Sequence, residues 1–296
     1  MQLKRIKNIP HKLRRELYYR IPAFYAFKEQ AYQRAIDFHA PSLPSIDRWG
    51  KSIVNKLRQD GTCVISLNQL ELSTTKQMMA KAYALADRLN HPAELSKCEV
   101  GSAEEDLREC PEILLWALEP RLLDIIENYI GLPILYQGFA IRRSITDGQY
   151  TGVRKWHIDW EDRRIIKIII YLNDVEAGGG PYQYIQRNLT ERAIKDLNYY
   201  NLGYLSDAEM SAAVSTKDWT ACLGKEASVV ITDTSNVFHR AQPPTIKDRY
   251  SITFCYTSAN PLVIWRGRKI SRQEWEKVDR QLNQRQRKCL TKRRFS

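Results

Sequence analysis

The sequence predicts a mainly β, α+β protein: a sheet sandwich or barrel with N-terminal helices packed outside it. Three observations carry this. Within the first 130 positions several segments read as helices, 21–40 with apolar residues at spacings of three and four, the period of a helix that buries one face. From Ile134 the texture changes to short β-branched and aromatic runs separated by Gly, Pro, Asn and Asp, the pattern of strands joined by turns. Helices first and short strands afterwards suit sheets buttressed by helices on one side.

In order, residues 21–40 read as an amphipathic helix beginning just after Pro22, with Phe24, Phe27, Ala31, Ala35 and Phe38 on one stripe and Pro41 and Pro44 ending it. Asp47 is placed to cap a second helix running to Gln59. Asp60-Gly61 then turns the chain into a strand over 62–67. A third helix covers 73–90. Residues 91–110 are polar and aperiodic, a long connection that is either a substrate lid or a disordered surface loop. Helices resume over 111–117 and 120–129, with Gly131 as the stop. Strands are expected over 134–145, around His157 and Asp159, and over 164–172, 182–185, 227–232 and 249–258. The Gly178-Gly179-Gly180-Pro181 breaker precedes 182–185. This divides the chain into a basic, helical extension (1–45), a β-rich domain (46–261) with a polar insertion at about 188–219, and a basic C-terminal helix or tail (262–296).

Composition fits a globular protein: 43% hydrophobic, mean hydropathy −0.49, and no run of 18 or more apolar residues that would span a membrane. The basic N-terminus lacks the apolar core of a secretory signal. Six cysteines without a CxxC pair, several inside apolar runs, suggest reduced thiols and a cytoplasmic location. The net charge of +12 is concentrated at the ends: residues 1–20 contribute +6 and 262–296 contribute +9, leaving about −3 between them. The β-rich part is therefore not a basic nucleic-acid platform. The tail, with Arg280, Arg285, Arg287, Lys288, Lys292, Arg293 and Arg294, reads as a solvated segment more readily than as a patch for nucleic acid or an anionic membrane.

The chemistry centres on Trp156-His157-Ile158-Asp159. In an extended segment residues two apart share a face, so His157 and Asp159 project together. His239, after another strand-like run, can supply the second imidazole. Two His and one carboxylate on one face of an iron leave three positions open. A His-X-Asp alone arises easily by chance, but ten residues after His239 comes Arg249-X-Ser251 at the start of an apolar strand. An arginine there is costly to bury unless it meets an anion, and Ser251 shares its face. The alternative is that Arg249 pairs with an internal acid such as Asp233 or Asp248.

In this order, His157-X-Asp159, Gly179-Gly180-Pro181, His239 and Arg249-X-Ser251, the sequence resembles the iron(II)- and 2-oxoglutarate-dependent dioxygenases, most closely the phytanoyl-CoA dioxygenase-like group. The resemblance spans about 60–258, including Asp60-Gly61-Thr62-Cys63-Val64-Ile65 and Tyr129-Ile130-Gly131-Leu132-Pro133. It implies a double-stranded β-helix, a jelly-roll (cupin-like) barrel. It also implies Fe(II) held by His157, Asp159 and His239, and 2-oxoglutarate held through its distal carboxylate by Arg249 and Ser251. The implied reaction uses O2 to hydroxylate a substrate C–H while 2-oxoglutarate becomes succinate and CO2. The family's usual Asn-Gly-Pro is Gly-Gly-Pro here, and Ile185-Gln186-Arg187-Asn188 replaces Pro-Gly-Ser-His. Both departures lie near the implied cavity mouth and bear on the substrate rather than the metal. A halogenating relative would carry Gly or Ala at Asp159, so the carboxylate favours hydroxylation.

The expected substrate is a small or medium-sized organic molecule, with an anion one option because Arg154, Lys155, Arg163 and Arg164 flank the motif; a solvated rim is the plainer reading of these four. Tyr136, Gln137, Arg142, Arg143, Trp156 and Tyr171 are candidate pocket residues, and Lys167 and Ile169 alternate with Tyr171 on one strand face. Two other readings compete: a non-enzymatic barrel binding anions or nucleic acid through its basic ends, and an oxygenase acting on a macromolecule.

Overall fold

A computed structural model of the protein describes residues 21–90, 99–101, 110–199, 203–262 and 272–290. In chain order the elements are α1 (Pro22–His39), α2 (Arg48–Asp60), β1 (Thr62–Ser66), α3 (Thr75–Asp87), β2 (Glu99–Gly101), α4 (Pro111–Ala117), α5 (Pro120–Ile130), β3 (Ile134–Ser144) and β4 (Ile166–Tyr171). They continue with β5 (Tyr182–Ile185), α6 (Arg187–Asp196), α7 (Asp207–Ala213), β6 (Trp219–Cys222), β7 (Ser228–Asp233), β8 (His239–Ala241), β9 (Arg249–Ser258), α8 (Arg272–Val278) and α9 (Gln284–Lys288). The proposed lid over 91–110 falls mostly outside the described residues.

The helix boundaries follow local chemistry. Asp47 accepts a hydrogen bond from the Gly50 amide at 2.7 Å, capping α2 as its position predicts. Gly131 ends α5 in the left-handed region, φ +77°. The first helix forms where expected but faces the other way. Phe27 and Phe38 on the predicted apolar stripe are 64% and 89% exposed. Polar contacts decide the orientation: Arg163 lies 4.6 Å over the Tyr32 ring and donates to Glu29 at 2.6 Å, while His39 Nε2 sits 2.8 Å from Glu127 Oε1.

Among the described residues, six strands form one antiparallel sheet in the order β1-β7-β4-β9-β3-β2, and three form a second in the order β6-β5-β8. From β3 the chain enters the small sheet at His157, which bridges His239 of β8, and returns to the large sheet at β4. It then runs through β5 and β6 in the small sheet, β7 in the large, β8 in the small and β9 in the large. Winding between two facing sheets in this way is a double-stranded β-helix, a jelly roll flanked by helices.

Strand alternation divides the large sheet. Ile166, Ile168 and Ile170 of β4, Val229 and Ile231 of β7 and Ile252 and Phe254 of β9 belong to the same buried cluster as Leu57, Met78, Trp116, Leu122 and Ile126 of the helices. The opposite side of the strands faces the small sheet and lines a cavity.

The C-terminal segment is packed rather than solvated over 272–290. Val278, Leu282, Cys289 and Leu290 are buried in the main cluster. Arg285 pairs with Asp124 and with Glu127, the latter at 2.6 Å, and Gln286 donates to the Leu118 carbonyl at 2.7 Å. Apolar residues every few positions between the arginines account for this, and the charge count concealed them. Among the described residues, no helix is long and apolar enough to cross a membrane.

Candidate metal centre and its cavity

The segment carrying His157 and Asp159 is not a regular strand. It is held by an antiparallel bridge in which the His157 and His239 amides donate to each other's carbonyls at 3.1 and 3.0 Å, and by the Asp159 amide donating to Thr234 O at 2.9 Å. The bridge brings two imidazoles 82 positions apart in sequence to a ring separation of 4.2 Å. Asp159 Oδ1 lies 3.9 Å from His157 Nε2, and Oδ2 lies 3.7 Å from His239 Nε2. Ligand atoms from all three residues fall within 4.8 Å of one another, a set able to hold a metal ion.

The protonation pattern suits that role. His157 Nδ1 is 2.9 Å from Lys155 O and His239 Nδ1 is 3.2 Å from Val237 O. A carbonyl only accepts, so each Nδ1 carries the proton and each Nε2 keeps its lone pair, the tautomer a metal requires. Burial, and then His157, push the His239 imidazole down to about 3 despite the nearby Asp159 carboxylate. Burial alone would raise Asp159; the Lys167 ammonium, then His239 and His157, outweigh it and hold the carboxyl well below its ordinary range.

The triad opens into a cavity of about 440 Å³. Its floor is the inner face of the large sheet, where Arg249, Ser251, Thr253, Cys255 and Thr257 line it at alternate positions of β9. Arg249 is buried. It donates to Gly180 O and, at 3.2 Å, to Ser144 Oγ. Gly180 stands at φ +66°, and a Cβ there would come within 2.6 Å of Gln242 O, so the Gly-Gly-Pro turn admits no larger residue at the point where it meets Arg249. The two acids that could have neutralised Arg249 are engaged elsewhere. Asp248 binds Arg143 at 2.6 Å and Thr146, while Asp233 accepts from Tyr129, Arg187, Ser235 and Asn236.

Other expected pocket residues divide. Gln137 and Arg142 line the cavity, Gln137 donating to Thr257 Oγ1 at 2.8 Å. Tyr136, Trp156 and Tyr171 do not. Tyr136 belongs to the main core beside Tyr256, with ring centroids 5.3 Å apart. Trp156 is fully buried between the small sheet and the insertion, and its indole donates to Asp207 at 2.9 Å. Tyr171 shares its strand face with Lys167 and Ile169, which do line the cavity, but lies beyond it, where its hydroxyl donates to Cys222 O at 2.8 Å.

Most of the flanking arginines are fasteners, not a rim. Arg154 is fully buried, donating to Asp147 and to the Gln149 and Ile145 carbonyls. Arg164 donates to the carbonyls of Tyr129 and Ile130 at the end of α5. Arg143, a candidate pocket residue, does not line the cavity and binds Asp248 instead.

Beside Lys167, residues the sequence does not single out also line the cavity, among them Glu161, Tyr204 and Arg240. Lys167 Nζ lies 2.5 Å from Asp159 Oδ2. The Tyr204 ring meets His157 edge-on at 5.2 Å. Arg240 donates to Gln183 at 2.7 Å, pairs with Asp207 and stacks 4.5 Å from Trp156. A single lysine inside Ile166-Lys167-Ile168-Ile169-Ile170 is the one local sequence signal among them, since a buried lysine requires a partner.

No protein-family model matches the sequence, and no curated protein matches it. Solved structures do resemble the fold. HygX from Streptomyces hygroscopicus, with nickel and 2-oxoglutarate bound, is 14% identical over 77% of this chain and 91% of its own, TM-score 0.48. SnoK, a non-heme alpha ketoglutarate dependent carbocyclase from nogalamycin biosynthesis, is 14% identical over 74% and 89%, TM-score 0.48. EctD from S. alaskensis, with bound Fe, is 18% identical over 72% and 80%, TM-score 0.46.

Proposed function

We propose that this chain is an iron(II)- and 2-oxoglutarate-dependent oxygenase that hydroxylates a small or medium-sized organic molecule. The observation that carries the reading is the convergence of His157, Asp159 and His239 at a cavity whose sheet wall also presents Arg249 and Ser251. Two neutral imidazoles and one ionised carboxylate are a donor set that fits iron(II). Bound there with 2-oxoglutarate and O2, the iron supplies the oxidising power for C–H hydroxylation, while the keto acid is converted to succinate and CO2.

The protein's part is positioning. The carbonyls of Lys155 and Val237 fix both imidazole tautomers. Arg249, held by Gly180 O, and the Ser251 hydroxyl two residues on offer a cation and a donor to the distal carboxylate of the keto acid. Asp159 occupies the position a halide would need, which favours hydroxylation. Gln137, Arg142, Glu161 and Tyr204 border the remaining space and would face the substrate.

Anaerobic reconstitution with iron(II) and 2-oxoglutarate tests the reading. The expected result is a weak visible charge-transfer band, with succinate formed when oxygen is admitted. Folded protein that neither takes up iron nor develops the band overturns it.

A further inference from the structure

The strand β4 places one charged side chain in an apolar run, and that side chain touches Asp159, one of the three proposed metal ligands. Lys167 is paired through its backbone on both sides, with Thr232 of β7 and Cys255 of β9, so its stem is fixed at the centre of the large sheet. Its ammonium meets Asp159 Oδ2 at 2.5 Å. An ammonium is the ordinary form of a lysine side chain at neutral pH.

A carboxylate has two oxygens and can bind a metal through one or both. The difference matters, because a facial triad works only if three coordination positions stay open. If Asp159 used both oxygens, it would close one of them. Both oxygens face an imidazole, Oδ2 at 3.7 Å from His239 Nε2 and Oδ1 at 3.9 Å from His157 Nε2, and Oδ2 is the one that Lys167 engages. Resting on the oxygenase reading, we propose that Lys167 is a positioning residue: by occupying Oδ2 it leaves Oδ1 as the single ligand atom of Asp159 and keeps the adjoining position open for 2-oxoglutarate.

An ammonium beside a metal dication is repulsive unless a further anion balances it. Glu161 supplies that anion. It lies two residues beyond Asp159 and lines the same cavity. Its carboxylate accepts from the Trp160 amide at 3.0 Å. As carboxylate and ammonium, Glu161 and Lys167 would offset each other's charge beside a bound metal.

The test separates metal binding from co-substrate binding and needs no turnover. Mn(II) is titrated calorimetrically into the wild type, Lys167→Met and Lys167→Arg, and 2-oxoglutarate is then titrated into each Mn(II)-loaded protein. Lys167→Met is expected to bind Mn(II) at least as tightly as the wild type but 2-oxoglutarate about 10- to 100-fold more weakly. Lys167→Arg, which can still donate to Oδ2, is expected to recover most of that loss. Unchanged 2-oxoglutarate affinity in Lys167→Met overturns the proposal, as does loss of Mn(II) binding by the folded variant, because Lys167 would then merely keep the ligands assembled. If Lys167→Met does not fold, Lys167→Leu, which likewise offers no donor, is judged by the same criteria. A wild type that binds neither Mn(II) nor 2-oxoglutarate overturns the oxygenase reading instead.

Discussion

The two walls of the cavity are built differently. The large-sheet wall is continuous: β9 pairs with β3 over ten residue pairs interrupted by one bulge at Gln137, and with β4 over six more. The small-sheet wall is a patchwork. Its β8 is three residues long, and the His157 segment joins it through one bridge. Side chains such as Trp156, Asp207 and Arg240 connect that wall to the insertion. Regular pairing therefore sets Arg249, Ser251 and Lys167, whereas the three proposed metal ligands depend on local hydrogen bonds. Stability and metal geometry should respond to different substitutions.

The largest effect is expected on the regular wall. Phe254 is fully buried at the centre of β9, with Trp116 at 4.5 Å and Phe139 at 6.3 Å between ring centroids. Phe254→Ala removes contacts in a sheet that is paired on both sides and cannot collapse around the void. It is expected to cost about 3–5 kcal/mol in urea unfolding. A cost under about 1 kcal/mol would mean that the large sheet is not the stiff member of the pair.

A smaller and more specific effect is expected at the end of the same wall. If Arg249 meets the distal carboxylate of 2-oxoglutarate, Arg249→Leu removes a charge-assisted interaction of about 1.5–3 kcal/mol. The dissociation constant for 2-oxoglutarate then rises roughly 10- to 150-fold. Metal affinity, measured without the keto acid, should stay within about twofold of the wild type. A parallel loss of both would show that the two walls are not independent.

The same contrast explains what the sequence made legible. Regular elements carried their own signals: Asp47 as a cap, Gly131 as a stop, and the β-branched run around Ile166–Tyr171. Arg249 and Ser251 were legible for the same reason, since alternation along a strand assigns them one face. Alternation also pairs His157 with Asp159 and the resemblance adds weight to His239, but the supposed strand around His157 is two isolated bridges, Trp156 to Leu205 and His157 to His239. Trp156 and Tyr171 were misplaced because local alternation gives a face but not the extent of a cavity along it. The direction of α1 was hidden because Tyr32, His39 and their partners, more than 80 positions away, outweigh its apolar stripe. Lys167 could have been singled out, as a lone charge in an isoleucine run, but only the fold shows that it meets Asp159.

The smallest effect is expected on the patchwork wall, and it tests whether that wall is held by many contacts or by one. Asp207, at the start of α7, accepts from Tyr150, from the Trp156 indole at 2.9 Å and from Arg240. Its side chain is 47% exposed, so the charge is screened and its pairing with Arg240 is worth little. Arg240 would keep Gln183 and its stacking on Trp156 and Trp219. Asp207→Asn retains an acceptor oxygen and is expected to cost about 1 kcal/mol or less, a difference that shrinks as salt is raised. Thermal unfolding at low and high ionic strength measures it. A loss of about 3 kcal/mol or more that persists in salt would mean that the wall carrying both imidazoles hangs on this single carboxylate.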